Sequence, residues 1–394
     1  MSHFTVLVIT DQEPKTDVLE KALLPFHEFE CTGHEAFIEE IDETEEAREE
    51  FEAATVTRLR APDGSLHEPY DDEFYRDPTP EESEKVGTSG IGVSGGLSYA
   101  SKDWGDGRGY RAKVKFVPDG YEEIELPRKS VEDFAAFVEH YNGKAPVPFG
   151  QTPDLTGKHK YGYALLDAEG SIVKVVNRTN PNAQWDWYVL GGRWQGLLLP
   201  KKANGGTHTG RPGLMDWTSG VGGVDACRKG DLDIEAMKNN AVNQRRDIWQ
   251  DTITKAREVG ITLPENELDE KRRAYFKRRG EEIEAWKSTT PRPDRREHFE
   301  SFMGDLLIFR NAFDDCFGPQ LCEEDTPIQE WIDTAPPLTT FAVLKDGQWF
   351  QKGEMGWWGV VHEKKEESRW ESEFQNLLND TPDDHWFAVV DCHI

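Results

Sequence analysis

Phe4-Thr-Val-Leu-Val-Ile9 and His385-Trp-Phe-Ala-Val-Val-Asp-Cys-His-Ile394 are the two stretches whose reading decides the fold. The first is almost continuously apolar, as expected of a strand covered on both faces. The second reads as a strand over His385–Ile394, and an apolar tail of this kind would aggregate unless a sheet held it. Pairing of the two is the expected arrangement. The expected fold class is therefore α+β, with a mostly antiparallel, hairpin-rich sheet holding the first and last strands in one core.

Working inward, four β-rich pairs flank Asp-Gly or Glu-Gly turns, where Gly accepts the positive φ that a tight turn needs. They are Thr55–Arg60 with Ser65–Pro69, Arg111–Val117 with Tyr121–Leu126, Tyr161–Leu166 with Ser171–Asn177, and Thr340–Leu344 with Gln348–Gln351. Helices are expected at Val18–Leu24, at about Glu39–Ala53, and at Ser130–Tyr141 behind a Ser-Val-Glu-Asp cap. In Glu363–Asn379, Trp370, Phe374, Leu377 and Leu378 fall at i, i+4, i+7 and i+8, the stripe of an amphipathic helix. From about Leu232 to Trp331 the pattern is helical, charged and poor in β-formers, and Asp269–Trp286 with its Arg/Lys pairs reads as an exposed helix. Residues 77–109 and 200–224 read as long loops. The resulting division is a discontinuous β-rich domain, 1–227 with 336–394, interrupted by a helical insertion at 228–335.

The chain has 394 residues, a formal charge of −29, 13 Trp and 20 Phe. That many aromatics calls for real cores. Residues 1–88 carry 25 acids against 7 bases, whereas residues 241–310 carry 14 against 15. Such a surface repels phosphates and anionic membranes, so direct nucleic-acid binding and a membrane partner are not expected. Five scattered cysteines make no disulfide framework, and no signal peptide or ~20-residue apolar span is visible, which points to a cytoplasmic protein.

Several blocks are distinctive: the opening Met-Ser-His-Phe-Thr-Val-Leu-Val-Ile, Phe26-His-Glu-Phe-Glu-Cys-Thr-Gly33, and Asn180-Pro-Asn-Ala-Gln-Trp-Asp-Trp-Tyr-Val-Leu-Gly-Gly-Arg-Trp194. Lys229-Gly-Asp-Leu-Asp233, Gly353-Glu-Met-Gly-Trp-Trp-Gly359 and Asp391-Cys-His-Ile394 complete the set. End to end, the chain resembles an uncharacterised family encoded by tailed bacteriophages and prophages. The resemblance implies a phage-associated, non-virion protein acting in the host bacterial cytoplasm. It implies no activity and carries over no catalytic residue.

If Gly191-Gly192 is a two-residue hairpin turn, Trp185, Trp187, Val189 and Trp194 share one face, while Asp186, Tyr188, Arg193 and Gln195 share the other. That second face suits a polar ligand, with Tyr stacking on a ring and Arg meeting a phosphate or carboxylate. A core Trp face with a merely wetted polar face explains the same pattern, and a one-residue bulge would exchange the faces. Glu354, Trp357 and Trp358 form a second ligand-binding candidate, because adjacent strand residues point oppositely and one Trp can be exposed. In the last strand Cys392 faces away from Asp391 and His393, which argues for a buried thiol and against a Cys392/His393 zinc pair. His27-x3-Cys31 is the other pairing that suggests zinc. Asp391 and His393 share a face and are the catalytic candidates, an orienting carboxylate beside an imidazole, though a structural hydrogen bond is the commoner role. Gly90–Gly95 spells G-x-G-x-x-G without the strand and helix that a dinucleotide site requires. Asp103 and Asp106 lie in a glycine loop better read as a polar turn than a cation site. The sequence names no cofactor and no metal.

Two functions follow. One is a binding site, with or without processing, for a polar, nucleotide-like ligand lined by Trp, Tyr, Arg and Asp. The other is an acidic decoy, Glu28–Glu84, that occupies a basic nucleic-acid-binding host defence protein.

Overall fold

The computed structural model describes residues 2–77, 79, 97–98, 113–202, 206–208, 211–212, 223–289, 294–310, 321–322, 325–355, 361–362 and 364–394. The chain forms two compact units, Met1–Phe37 with Asn180–Ile394, and Ile38–Thr179. The division differs from that expected of the sequence. The helical block stays with the terminal strands, and it is the segment 38–179 that separates. The acidic stretch Glu28–Glu84 is consequently split between the two units.

In the first unit, His3–Thr10 and Trp386–His393 pair antiparallel over eight registered residues, from His3 opposite His393 to Thr10 opposite Trp386. Ser2 and Ile394 extend the ladder by exchanging backbone bonds. Ala342–Lys345 adds in parallel on the far side of the N-terminal strand, then turns through Asp346-Gly347 into Gln348–Gln351. Both turn residues have positive φ, the backbone twist that a two-residue hairpin demands. The other edge of the C-terminal strand is shared by two short segments: Ala226–Arg228 pairs with 386–388 and Trp187–Gly192 with 390–393. The fold is α+β.

The terminal strands are apolar on both faces because both are covered. On one side Leu7, Ile9, Val343, Phe387 and Val389 pack with Trp370, Phe374 and Leu378 of the helix Glu367–Asn379. On the other, Phe4, Val6, Val8, Val390 and Cys392 pack with Leu19 and Leu23 of the helix Thr16–Leu23 and with Trp185. Each fully buried side chain of this kind contributes about 1.5–3 kcal/mol. Trp370 donates its indole N–H to the Thr340 carbonyl at 2.8 Å, so its one polar atom is satisfied in the core.

The helices Ile234–Glu258, Glu265–Ser288, Arg295–Met303 and Ile328–Asp333 enclose a second core around Trp249, Ile253, Tyr275, Phe276 and Met303. Here the expectation of an exposed Asp269–Trp286 helix is corrected. Arg272 is fully buried: its Nε donates to Asp269 Oδ1 at 2.9 Å and its Nη2 to the Thr326 carbonyl at 2.7 Å. Asp269 Oδ2 in turn accepts the Ile328 N–H. Asp269 and Arg272 are thus buried against a segment more than fifty positions away, which helical periodicity cannot reveal, while Lys271, Lys277 and Glu281 of the same helix stay exposed. Among the described residues no helix is long and apolar enough to cross a membrane.

The second unit holds Thr55–Arg60 between Leu66–His67 and Glu122–Pro127, and a four-stranded sheet of Glu39–Asp42, Ile172–Thr179, Gly162–Leu166 and Pro146–Val147. Three of the four expected hairpins are present. The pair around Pro118-Asp-Gly120 is not one: Lys113–Lys115 joins Tyr75–Arg76 and Leu97–Ser98, while Glu122–Pro127 joins Thr55–Arg60. Glu39–Asp42 is a strand and not the first turn of a helix, with Thr44–Ala53 alone helical. The helix expected from Ser130 begins at Phe134, where Asp133 accepts the Ala136 N–H and caps it.

Candidate active site

The polar end of the main sheet carries the chemistry. Register places Trp187, His393 and His3 side by side on three neighbouring strands. They share the face that begins as the Leu7/Val389 core and turns polar in its last two rows, through Thr5 and Asp391. The three rings touch one another. The Trp187 ring stacks on His393, with centroids 4.9 Å apart and planes 16° apart, and His3 meets both edge-on at 5.1 and 4.9 Å.

Each imidazole is held by a carboxylate. His393 Nδ1 lies 2.7 Å from Asp186 Oδ1, and His3 Nδ1 lies 2.8 Å from Asp391 Oδ1. An ionised carboxylate only accepts, so these bonds place the ring proton on Nδ1 and leave Nε2 with its lone pair in the neutral ring. His393 is 5% exposed, and its Nε2 is buried with no hydrogen-bond partner among the described residues. A buried polar nitrogen left unsatisfied costs about 1–3 kcal/mol. Asp391, 2% exposed, uses its second oxygen to accept the Arg193 N–H at 3.0 Å.

That last bond depends on glycine. Gly191 and Gly192 both have positive φ, and a Cβ on Gly192 would sit 2.5 Å from Asp391 Oδ2. A Cβ on Gly191 would sit 2.5 Å from Cγ of Asp225, a wholly buried carboxylate that accepts the Gly196 N–H at 2.6 Å. The two glycines therefore end a strand and let the backbone close onto two acids. They are not a hairpin turn. Gly191 and Gly192 pair in parallel with Arg211 and Pro212, and the chain then turns at Arg193–Gly196.

The face assignment expected from a hairpin is corrected accordingly. Asp186 precedes the strand, at a bend, and joins Trp187 on the His393 side. Tyr188 lies on the opposite face, against Trp185 at 5.3 Å and opposite Cys392, and burial pushes its hydroxyl up to about 12. Arg193 enters the cluster by its backbone. Gln195 is half-buried in the turn, its N–H on the Gly192 carbonyl. Asp391 and His393 do not bond each other as expected: Asp391 takes His3 from the neighbouring strand, and His393 takes Asp186 from the bend before Trp187. Alternation along one strand brings two side chains to one face, but the neighbouring strands lie nearer. Glu354 is exposed, opposite His362 in a separate two-stranded ladder, and outside the cluster's bonds. Trp357 and Trp358 lie outside the described residues, as do Gly90–Gly95, Asp103, Asp106 and Cys316. Cys392 is fully buried, and burial pushes its thiol well above the usual range. Among the described residues no group of three or more His, Cys, Asp and Glu side chains is placed to hold a metal ion.

His3 was missed by motif reasoning, yet a signal existed. Antiparallel pairing of the two terminal strands, flush at their ends, already puts His3 opposite His393. No family model, no curated protein and no solved structure matches the chain.

Proposed function

We propose that the polar end of the sheet binds a small polar ligand and exchanges a proton with it through His393. The supporting observation is the unpartnered, buried Nε2 of an imidazole whose other nitrogen is fixed by Asp186. A carboxylate that fixes tautomer and orientation is what a general base requires. Trp187, 42% exposed, is stacked over His393, and a ligand reaches Nε2 by displacing that indole, which then stacks on the ligand. A flat, polar, nucleoside-like molecule suits such a platform. His3, held by Asp391 one ring away, is placed to handle a second proton.

The test is thermal unfolding of the full chain with a panel of nucleosides, nucleoside monophosphates, sugars and amino acids. Saturation at a hundred times Kd stabilises by about 2.7 kcal/mol, a rise of several degrees in Tm. The proposal requires at least one such ligand, with the rise abolished by His393→Gln and reduced by Trp187→Ala. A panel without any stabilising ligand, or one that stabilises His393→Gln equally, overturns it.

A further inference from the structure

The carboxylate of Asp186 can serve His393 only if the bend that carries it is held still. Asp186 sits between an isolated bridge residue, Trp185, and the first residue of a strand, Trp187. Its N–H donates to the His393 carbonyl at 2.9 Å, which fixes one side of the residue. Its carbonyl lies 3.1 Å from Nε2 of His27, a ring contributed by a segment some 160 positions earlier. A carbonyl only accepts, so Nε2 of His27 carries the proton and donates it.

His27 is itself immobilised. Its N–H donates to the Leu24 carbonyl, and its carbonyl accepts the Asn180 Nδ2 donor at 2.9 Å. The next residue, Glu28, donates its N–H to the Trp185 carbonyl at 2.7 Å. The imidazole is 8% exposed and packs edge-on against Trp185, with centroids 4.3 Å apart. Burial is the largest influence on this ring and holds its pKa below the ordinary histidine value, consistent with a neutral ring that acts as a fixed single donor.

We infer that His27 is a positioning residue for the proposed proton-exchange site: by holding the Asp186 carbonyl it aims the Asp186 carboxylate at His393 Nδ1 and keeps Nε2 of His393 as the bare nitrogen. The inference rests on the proposed function only for its consequence. The geometric claim concerns the ligand-free protein and is tested there.

The experiment is long-range 1H–15N correlation of histidine-labelled full-length protein without ligand. In the wild type, His27 must appear as the Nε2–H tautomer and His393 as the Nδ1–H tautomer, the latter favoured by about tenfold or more through its charged acceptor. His27→Phe keeps a ring against Trp185 and removes the donor; His27→Gln keeps a donor. The expected result is loss of most of the His393 tautomer preference in His27→Phe, with faster solvent exchange of its Nδ1 proton, and recovery in His27→Gln. A wild-type His27 with bare Nε2 overturns the inference even if neither variant folds. So does a folded His27→Phe whose His393 signals are unmoved. Failure of the ligand panel leaves both readouts intact, so the two ideas fail separately.

Discussion

Replacing Gly192 by Ala tests the closure of the backbone onto Asp391. Two costs add at this position. The residue has φ of +54°, where an L side chain loses roughly 1–2 kcal/mol. The new methyl would also lie 2.5 Å from Asp391 Oδ2, on a strand paired along both edges that has little room to retreat. The Asp391 Cβ would lie nearer still, at 2.4 Å, so the backbones must part, which weakens the bond from the Arg193 N–H to the carboxylate, worth about 1.5–3 kcal/mol for a charged acceptor. The expected total is about 2.5–5 kcal/mol, a large share of the ~5–15 kcal/mol that keeps a domain folded. Gly347→Ala is the control within the same unit. Its φ is +74° and nothing lies within 4 Å of the added methyl, so it should lose only the ~1–2 kcal/mol of strain. Urea unfolding followed by tryptophan fluorescence, with slopes compared to check that the unfolding step is unchanged, reads both values. Equal losses for the two variants would refute the claim that Gly192 is required by close approach to Asp391.

Three further outcomes are expected. Trp370→Phe leaves the Thr340 carbonyl without its 2.8 Å donor inside a closed core and should cost about 1–3 kcal/mol plus the missing ring volume, measured by the same urea midpoints. Asp391→Asn keeps the shape but puts an amide NH2 where one of two acceptor oxygens stood, so about 1.5–3 kcal/mol should disappear, with Arg193 N–H exchange accelerating in hydrogen-exchange NMR. His27 has a folded pKa lowered by burial, so below the unfolded value of 6.5 the unfolded chain binds more protons than the folded one. Its contribution is complete above pH 6.5 and is lost as the pH falls from there through the folded pKa. His27→Gln should therefore show a shallower fall in Tm between pH 7 and pH 5 than the wild type, and an identical fall would dismiss this account.

The sequence by itself determined the class of the fold and much of its frame. Two apolar termini had to be sheltered in a sheet, and the alternation of the last strand alone separated Cys392 from His393. The Trp370, Phe374, Leu378 stripe and the Asp346-Gly347 turn are local patterns, set by helical and strand periodicity and by the φ preference of glycine. What only the tertiary structure decided is which polar groups meet. Asp391 takes His3 and not His393, His393 takes Asp186, and Arg272 is buried by a segment far along the chain. These choices depend on strand order and on residues that approach from distant positions. Gly191-Gly192 shows the reason most clearly: a pair that reads as a hairpin turn from its neighbours is there because two carboxylates from elsewhere need the space its missing side chains leave.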